Sequence, residues 1–241
     1  TITFPQNAQS VVYSGAQAIV VAPTVKKEDG TEVKSPSIMY SYRRNGDANF
    51  TDGRPVDAGT YEIKAKVAEG TDYAAGESSN TLMLTITQAP LTITAVNQTI
   101  ESGDSISVDV SKASADKLLG SELTGCEISV EGSYTNVGTY GITAKNAKIT
   151  KDCKDVTGNY IISYVKGTLT VIQTTLIDKT NTNQNIAMGD GKFGVPSFVD
   201  KNGNKVGGSV SYTYGGESCG EAELISKLGK LKEGATGNFT Y

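Results

Sequence analysis

The fold class this sequence predicts is all-β, built of tandem two-sheet sandwich domains in an extended rod, and three observations carry the prediction. The first is self-similarity. VDAGTYEIKAKV (56–67) returns as TNVGTYGITAK (135–145) and, shortened, as GATGNFTY (234–241). Likewise PTVKKEDGTEVKSPSIMYSY (23–42) returns as PSFVDKNGNKVGGSVSYTY (196–214), with Pro23, Gly30 and Val33 spaced as Pro196, Gly203 and Val206. A repeat of about eighty-five residues is too long for a solenoid unit and fits a complete small β-domain. The second observation is strict alternation of apolar and polar residues, the pattern of antiparallel sheets wet on one face. The third is the turn chemistry between those runs, at the eight-to-twelve-residue spacing of sandwich strands.

The elements follow in order. Repeat one spans 1–88, and its opening Thr1-Ile2-Thr3-Phe4 already alternates. Asp29-Gly30 supplies a tight hairpin turn. Ile38, Tyr40 and Tyr42 share a face opposite Ser37, Met39 and Ser41, and Tyr61, Ile63, Ala65 and Val67 one opposite Glu62, Lys64 and Lys66. Leu82, Leu84 and Ile86 form the inner face of a closing strand. Gln88-Ala89-Pro90 then leads straight into Leu91-Thr92-Ile93-Thr94, so the junction has little hinge freedom. Repeat two spans 89–173, and a second short junction, Gln173-Thr174-Thr175, opens repeat three at 174–241. Domains on the order of 35 Å each would make a rod of roughly 100 Å.

Repeat three differs in one respect. EAELISKLGKLK (221–232) spaces Leu224, Ile225, Leu228 and Leu231 as a helical stripe, with Ser218 as its cap, lysines in its last turn and Gly234 after it. A short helix between two strands is expected, its leucines covering the core. Repeats one and two each run on past the GTY motif to a TL-x-[LV]-[TI] strand, whereas repeat three stops at Tyr241. It is therefore expected to be truncated before its last strand, and both chain ends read as cuts in a longer protein.

Asp57-Ala58-Gly59-Thr60-Tyr61 has the Asp-x-Gly-x-Tyr form of the tyrosine corner of immunoglobulin-like domains, in which the phenol reaches back to the backbone. Repeat two offers Asn136-Val137-Gly138-Thr139-Tyr140, and repeat three Gly237-Asn238-Phe239, without the hydroxyl. Asp57, Gly59, Tyr61, Asn136, Gly138 and Tyr140 are thus the structural site residues of the chain. Repeat two also carries IESGDSISV (100–108), LLGSELTGCEISV (118–130) and GNYIISYVKGTLTV (158–171). Together these resemble the MBG-type repeat of bacterial surface proteins. Repeats one and three resemble related bacterial immunoglobulin-like modules, through YSGAQAI (13–19) and PVDAGTY (55–61). The resemblance implies a cell-surface or secreted bacterial protein carrying such modules in tandem. It further implies partners among host glycoproteins such as mucin, or among bacterial cell-wall components.

Composition argues for a non-catalytic role. Charged residues are 20% and hydrophobic ones 37%, so the chain is neither disordered nor membrane-embedded. A net charge of −4 with no basic cluster argues against nucleic acid. There is no histidine, the usual neutral-pH base and metal ligand, and no tryptophan, the residue best suited to stacking on sugars. No catalytic, cofactor-binding or metal-ligating residue is assigned. Asp200, Asn202 and Asn204 resemble the start of a calcium loop, but Lys205 stands where the glycine is needed and a hairpin explains them. Asp47, Asp52 and Asp57 read as solvated loop acids. Cys126 alternates with Ile128 and Val130 and is expected to face the core, while Cys153 lies in a charged loop and Cys219 among glycines. A Cys126–Cys153 link stays open, with the third thiol free or paired between molecules.

Three roles remain. The leading one is a stalk or spacer. The others are a glycan- or mucin-binding array, which a solvent-facing aromatic row would favour, and accessory domains of an enzyme whose catalytic domain lies outside the chain.

Overall fold

A computed structural model of the chain describes residues 1–174, 177–178, 198–206, 211–214, 216–228 and 239–240. They are mostly β-strand with one short helix, arranged in several sheets. Repeat one contributes β1 (Ile2–Thr3), β2 (Ala8–Val12), β3 (Thr24–Val25), β4 (Ile38–Arg44), β5 (Thr51–Asp52), β6 (Gly59–Val67), β7 (Gly76–Glu77) and β8 (Leu82–Thr87). Repeat two contributes β9 (Ala89–Ala95), β10 (Gln98–Glu101), β11 (Ala113–Ala115), β12 (Glu122–Val130), β13 (Gly138–Lys151), β14 (Lys154–Asp155), β15 (Tyr160–Val165) and β16 (Gly167–Ile172). From repeat three come β17 (Ile177–Asp178), β18 (Phe198–Val199), β19 (Tyr212–Tyr214), β20 (Glu217–Cys219), α1 (Glu221–Leu228) and β21 (Phe239–Thr240).

Two compact units emerge. One comprises Thr1–Thr99, Ser105–Tyr134 and Gly138–Thr170; the other comprises Ile100–Asp104, Thr135–Val137 and Val171–Tyr241.

The main sheet of repeat one runs β2-β8-β6-β4-β5, with β7 on β6, and β1 pairs with β3 separately. Alternation decides its core. Tyr61, Ile63, Ala65 and Val67 of β6 are buried, as are Leu82, Leu84 and Ile86 of β8. Across β4, Tyr42 opposes Ile63 and Tyr40 opposes Ala65, so the tyrosines share the core face and stay half-buried at its margin. The outer face departs from expectation at Ser41, which is buried although it lies on the polar side. Its neighbours Arg43 and Lys64 both reach over the Phe50 ring, at 4.8 and 5.1 Å, and that cover shields the serine.

Repeat two is built from the order β10-β16-β13-β12, with β14 on β13, and a second sheet β11-β9-β15. Its core draws on Leu91, Ile93, Ala95, Ile142, Ile149 and Leu169, all buried. Cys126 is only half-buried, not a core residue. The β12–β13 register shifts on both sides of Gly125, the second shift falling at Cys126, and the thiol lies 3.4 Å from the Lys145 carbonyl. Burial pushes that thiol above its ordinary pKa. Cys153 is exposed and Cys219 buried, and all three cysteines are free thiols.

The repeated hairpin is reproduced bond for bond. Lys27 N–H donates to Thr31 O at 2.8 Å, Gly30 N–H to Lys27 O at 3.1 Å and Val33 N–H to Val25 O at 2.9 Å. In repeat three, Asp200 N–H donates to Asn204 O at 2.9 Å, Gly203 N–H to Asp200 O at 3.0 Å and Val206 N–H to Phe198 O at 3.1 Å. Each hairpin thus closes a three-residue loop whose last residue, Gly30 or Gly203, has φ +84°.

A glutamine recurs in the same way. Gln9 donates to Ile19 O and accepts from Val21 N–H, at 2.8 and 2.9 Å. Gln98 donates to Ser107 O and accepts from Ser107 N–H, both at 2.9 Å. Each carboxamide stands in for a peptide group beside its strand.

In repeat three, Tyr212, Cys219 and Leu224 form a small core with Tyr214 packed against it. The helix starts where predicted, but Ser218 is not its cap. Ser218 is paired with Thr213 in β20, and the Gly220 carbonyl accepts the first helical bond, from Leu224 N–H at 2.9 Å. Leu231, Lys232 and Gly234 lie outside the described residues, as do Gly237-Asn238 and the side chains of Leu228 and Phe239.

Candidate functional site

Within the first unit, the motifs singled out in the sequence meet at one place, a polar joint between repeats one and two. Tight packing explains its location: β8 ends at Thr87 and β9 begins at Ala89, leaving Gln88 alone between the two repeats.

Asp57-Ala58 forms one side. Tyr61 donates its hydroxyl to the Asp57 carbonyl at 2.9 Å, and the buried ring folds over Gly59. A side chain at Gly59 would place its Cβ 3.0 Å from the Arg44 guanidinium and 3.3 Å from the Tyr61 hydroxyl, so the corner requires glycine. Burial pushes the Tyr61 hydroxyl above its usual pKa, against the lowering effect of Arg44. The Asp57 carbonyl, not its carboxylate, accepts the bond of that corner. The carboxylate reaches repeat two instead, accepting from Asn159 Nδ2 at 2.8 Å. Asn159 Oδ1 in turn accepts the Ala58 N–H at 2.8 Å. Asn159 is 5% exposed, so one buried carboxamide satisfies a donor and an acceptor of the other repeat.

The next residue extends the joint. The Tyr160 ring meets Tyr13 edge-on, with centroids 5.4 Å apart, and its hydroxyl donates to Leu118 O at 2.5 Å beside Ser121 Oγ. Burial raises the pKa of this phenol. Gln88 Nε2 donates to Gly158 O at 2.9 Å and Tyr160 O at 3.2 Å. Lys151 Nζ donates to Gly15 O at 2.5 Å. At Gly15 the two backbones nearly touch, since a Cβ there would lie 2.2 Å from Leu119 O.

The corresponding corner of repeat two keeps the same fold of ring over glycine. The Tyr140 ring and hydroxyl lie 3.7 Å from where a Gly138 Cβ would stand, and Tyr140 is half-buried. Asn136 is exposed, at the turn preceding β13. Sequence reasoning noted Tyr13, Gly15, Leu119 and Asn159 only as parts of family phrases and missed their meeting. Nothing in the sequence marks that meeting, since the residues stand in separate phrases at 13–19, 118–130 and 158–171.

The remaining candidates resolve into local structure. Asp200 Oδ1 accepts from Asn202 N–H and Asn204 N–H, at 2.9 and 2.8 Å, and Oδ2 from Asn204 Nδ2 at 3.0 Å. Those bonds, led by the Asn204 side chain, hold its carboxyl below the usual range. Within the second unit, Lys201 is ion-paired with Asp104 and lies 3.6 Å from Glu101. Among the described residues no three His, Cys, Asp or Glu side chains gather as a metal site, and no helix is long and apolar enough to cross a membrane.

No protein-family model matches the chain, and no curated protein does. Among solved structures it is similar to the crystal structure of Drosophila N-cadherin EC1-4, at 11% sequence identity and a TM-score of 0.24. That alignment covers 89% of this chain, which spans 61% of the cadherin chain.

Proposed function

We propose that the chain is a non-catalytic repeat region of a larger bacterial cell-surface or secreted protein, acting as a stalk or spacer. On this reading it consists of immunoglobulin-like sandwiches at 1–88, 89–173 and 174–241, the second of MBG type, set end to end. The observation that carries the proposal is the joint. A spacer must transmit orientation from one module to the next, and Asn159, Tyr160, Lys151 and Gln88 tie repeat two to repeat one by directional bonds across a one-residue connection. The Asn159 carboxamide, the Tyr160 hydroxyl and Lys151 Nζ each spend their bonds inside the protein.

The aromatic residues support the same reading. Tyr13, Tyr61, Tyr160 and Tyr212 are buried, and Tyr40, Tyr42, Tyr73, Tyr134, Tyr140 and Tyr214 half-buried, which leaves Tyr164 as the exposed ring among the described tyrosines. A stacking platform for glycans needs a row of exposed rings.

Small-angle scattering tests the proposal. A rod of roughly 100 Å has a radius of gyration of about 30 Å. A compact globule of this length has one of about 18 Å, and that value would overturn the spacer reading.

A further inference from the structure

The segment before the closing strand is built in opposite ways in the two repeats. Counting back from the shared Thr-Leu (Thr81-Leu82 and Thr168-Leu169), repeat one has Tyr73-Ala74-Ala75-Gly76-Glu77-Ser78. Those residues form only the two-residue β7, whose Glu77 is ion-paired with Lys64 and Lys66 at 3.7 and 3.3 Å. Repeat two has Tyr160-Ile161-Ile162-Ser163-Tyr164-Val165, without charge, forming the six-residue β15. Its parallel register with β9 is unbroken from Tyr160–Ala89 to Val165–Thr94.

β15 is the outermost strand of its sheet among the described residues. Ile161, Ser163 and Val165 share its outer face, with Ile161 62% and Val165 47% exposed. Proteins protect sheet edges by shortening them, charging them or bulging them, because a straight apolar edge offers unpaired backbone groups to another strand. The corresponding segment of repeat one is short and charged, and it pairs with β6 in the main sheet instead. Repeat two uses neither, nor a bulge, over six residues.

We infer that β15 is a self-association strand, on which two copies of this chain pair antiparallel about Ser163. A two-fold axis normal to the sheet passes through a residue position, so that facing side chains emerge on the same side. With the axis at Ser163, Ile161 faces Val165 of the second copy and Ile162 faces its Tyr164. An axis at Ile162 would instead set the exposed Ile161 against Ser163.

Charge is compatible with that direction. Lys166 follows the strand, 2.6 Å from Glu131 of its own chain, and the Asp57 carboxylate lies at its start, bonded to Asn159. Antiparallel pairing brings the Lys166–Glu131 pair of each copy toward the Asp57 end of the other, whereas parallel pairing would set the two Lys166 ends together. One six-residue pairing falls short of the roughly 800 Å² per partner of a stable complex, so association depends on concentration and strengthens where copies are crowded together.

Sedimentation velocity on the whole chain, from about 10 μM to about 1 mM, tests the inference. A monomer–dimer equilibrium is expected. Ile161→Lys and Val165→Glu each weaken it at least about tenfold, with melting unchanged because both sites are exposed. An equimolar mixture of the two variants recovers the dimer, since the new lysine faces the new glutamate. Wild-type protein that stays monomeric throughout would overturn the inference. So would an Ile161→Lys variant that dimerises like wild type. A mixture no better than either variant alone would overturn the register.

Discussion

Replacing Asn159 with alanine removes the central contact of the joint and leaves its surroundings in place. Two bonds of 2.8 Å disappear, one from the Ala58 N–H and one to Asp57 Oδ1. The backbone bond contributes about 1 kcal/mol, and stranding the half-buried Ala58 amide adds about as much again. Asp57 is exposed and regains water, so its bond adds only a few tenths. The expected loss is about 2 kcal/mol, read as a shift in urea midpoint at unchanged slope. Asn159→Asp makes the test sharper because it is isosteric. It keeps the acceptor for Ala58 but sets a carboxylate against Asp57, so near pH 7 it is more destabilising than alanine. Below about pH 4 a protonated carboxyl donates as the amide did, and the order reverses. An alanine variant within about 0.5 kcal/mol of wild type, or an aspartate variant as stable as wild type at neutral pH, would refute this account of the joint.

Other outcomes follow from the same geometry. Tyr61→Phe removes the bond to Asp57 O and costs about 1 kcal/mol in chemical denaturation. Gly15→Ala costs on the order of 3 kcal/mol, because its Cβ meets Leu119 O at φ +76°. Gly30→Ala, at φ +84° with open space around it, costs about 1 kcal/mol in the same assay. Asp29, Asp116 and Asp155 are held below the usual carboxylate range by backbone N–H groups, and Asp200 by the Asn204 side chain. Because these folded-state pKa values are depressed, the stability they confer is present above the unfolded value of about 3.9 and lost as pH falls through the lower folded ones. The melting temperature should therefore be flat between about pH 5 and 6.5, where a chain with no histidine has little to titrate, and fall below about pH 4.

What could be read from the sequence was local. The burial of Tyr61, Ile63, Ala65 and Val67 follows from period two alone, and so does that of Leu82, Leu84 and Ile86. The hairpin glycines were visible, but the loop length was not, because only the Lys27–Thr31 and Asp200–Asn204 bonds define it. Ser41 and Ser218 went wrong for tertiary reasons. Arg43, Lys64 and Phe50 cover the first, and pairing with Thr213 places the second in a strand. The joint was the hardest feature to foresee. Asp57 and Asn159 are remote in the chain, and the aspartate looked like an ordinary loop acid inside a turn motif. Only the packing of one repeat on the next makes it a contact.

Residual dipolar couplings test the central claim, that the joint makes repeats one and two transmit orientation. Amide couplings fitted separately over 1–88 and 89–170 should give alignment tensors of equal magnitude and common orientation in wild-type protein. In Asn159→Ala the two fits should diverge while each repeat keeps its own fold. Wild-type tensors that differ in magnitude would mean that the repeats reorient independently, and the stiff-spacer account would be contradicted.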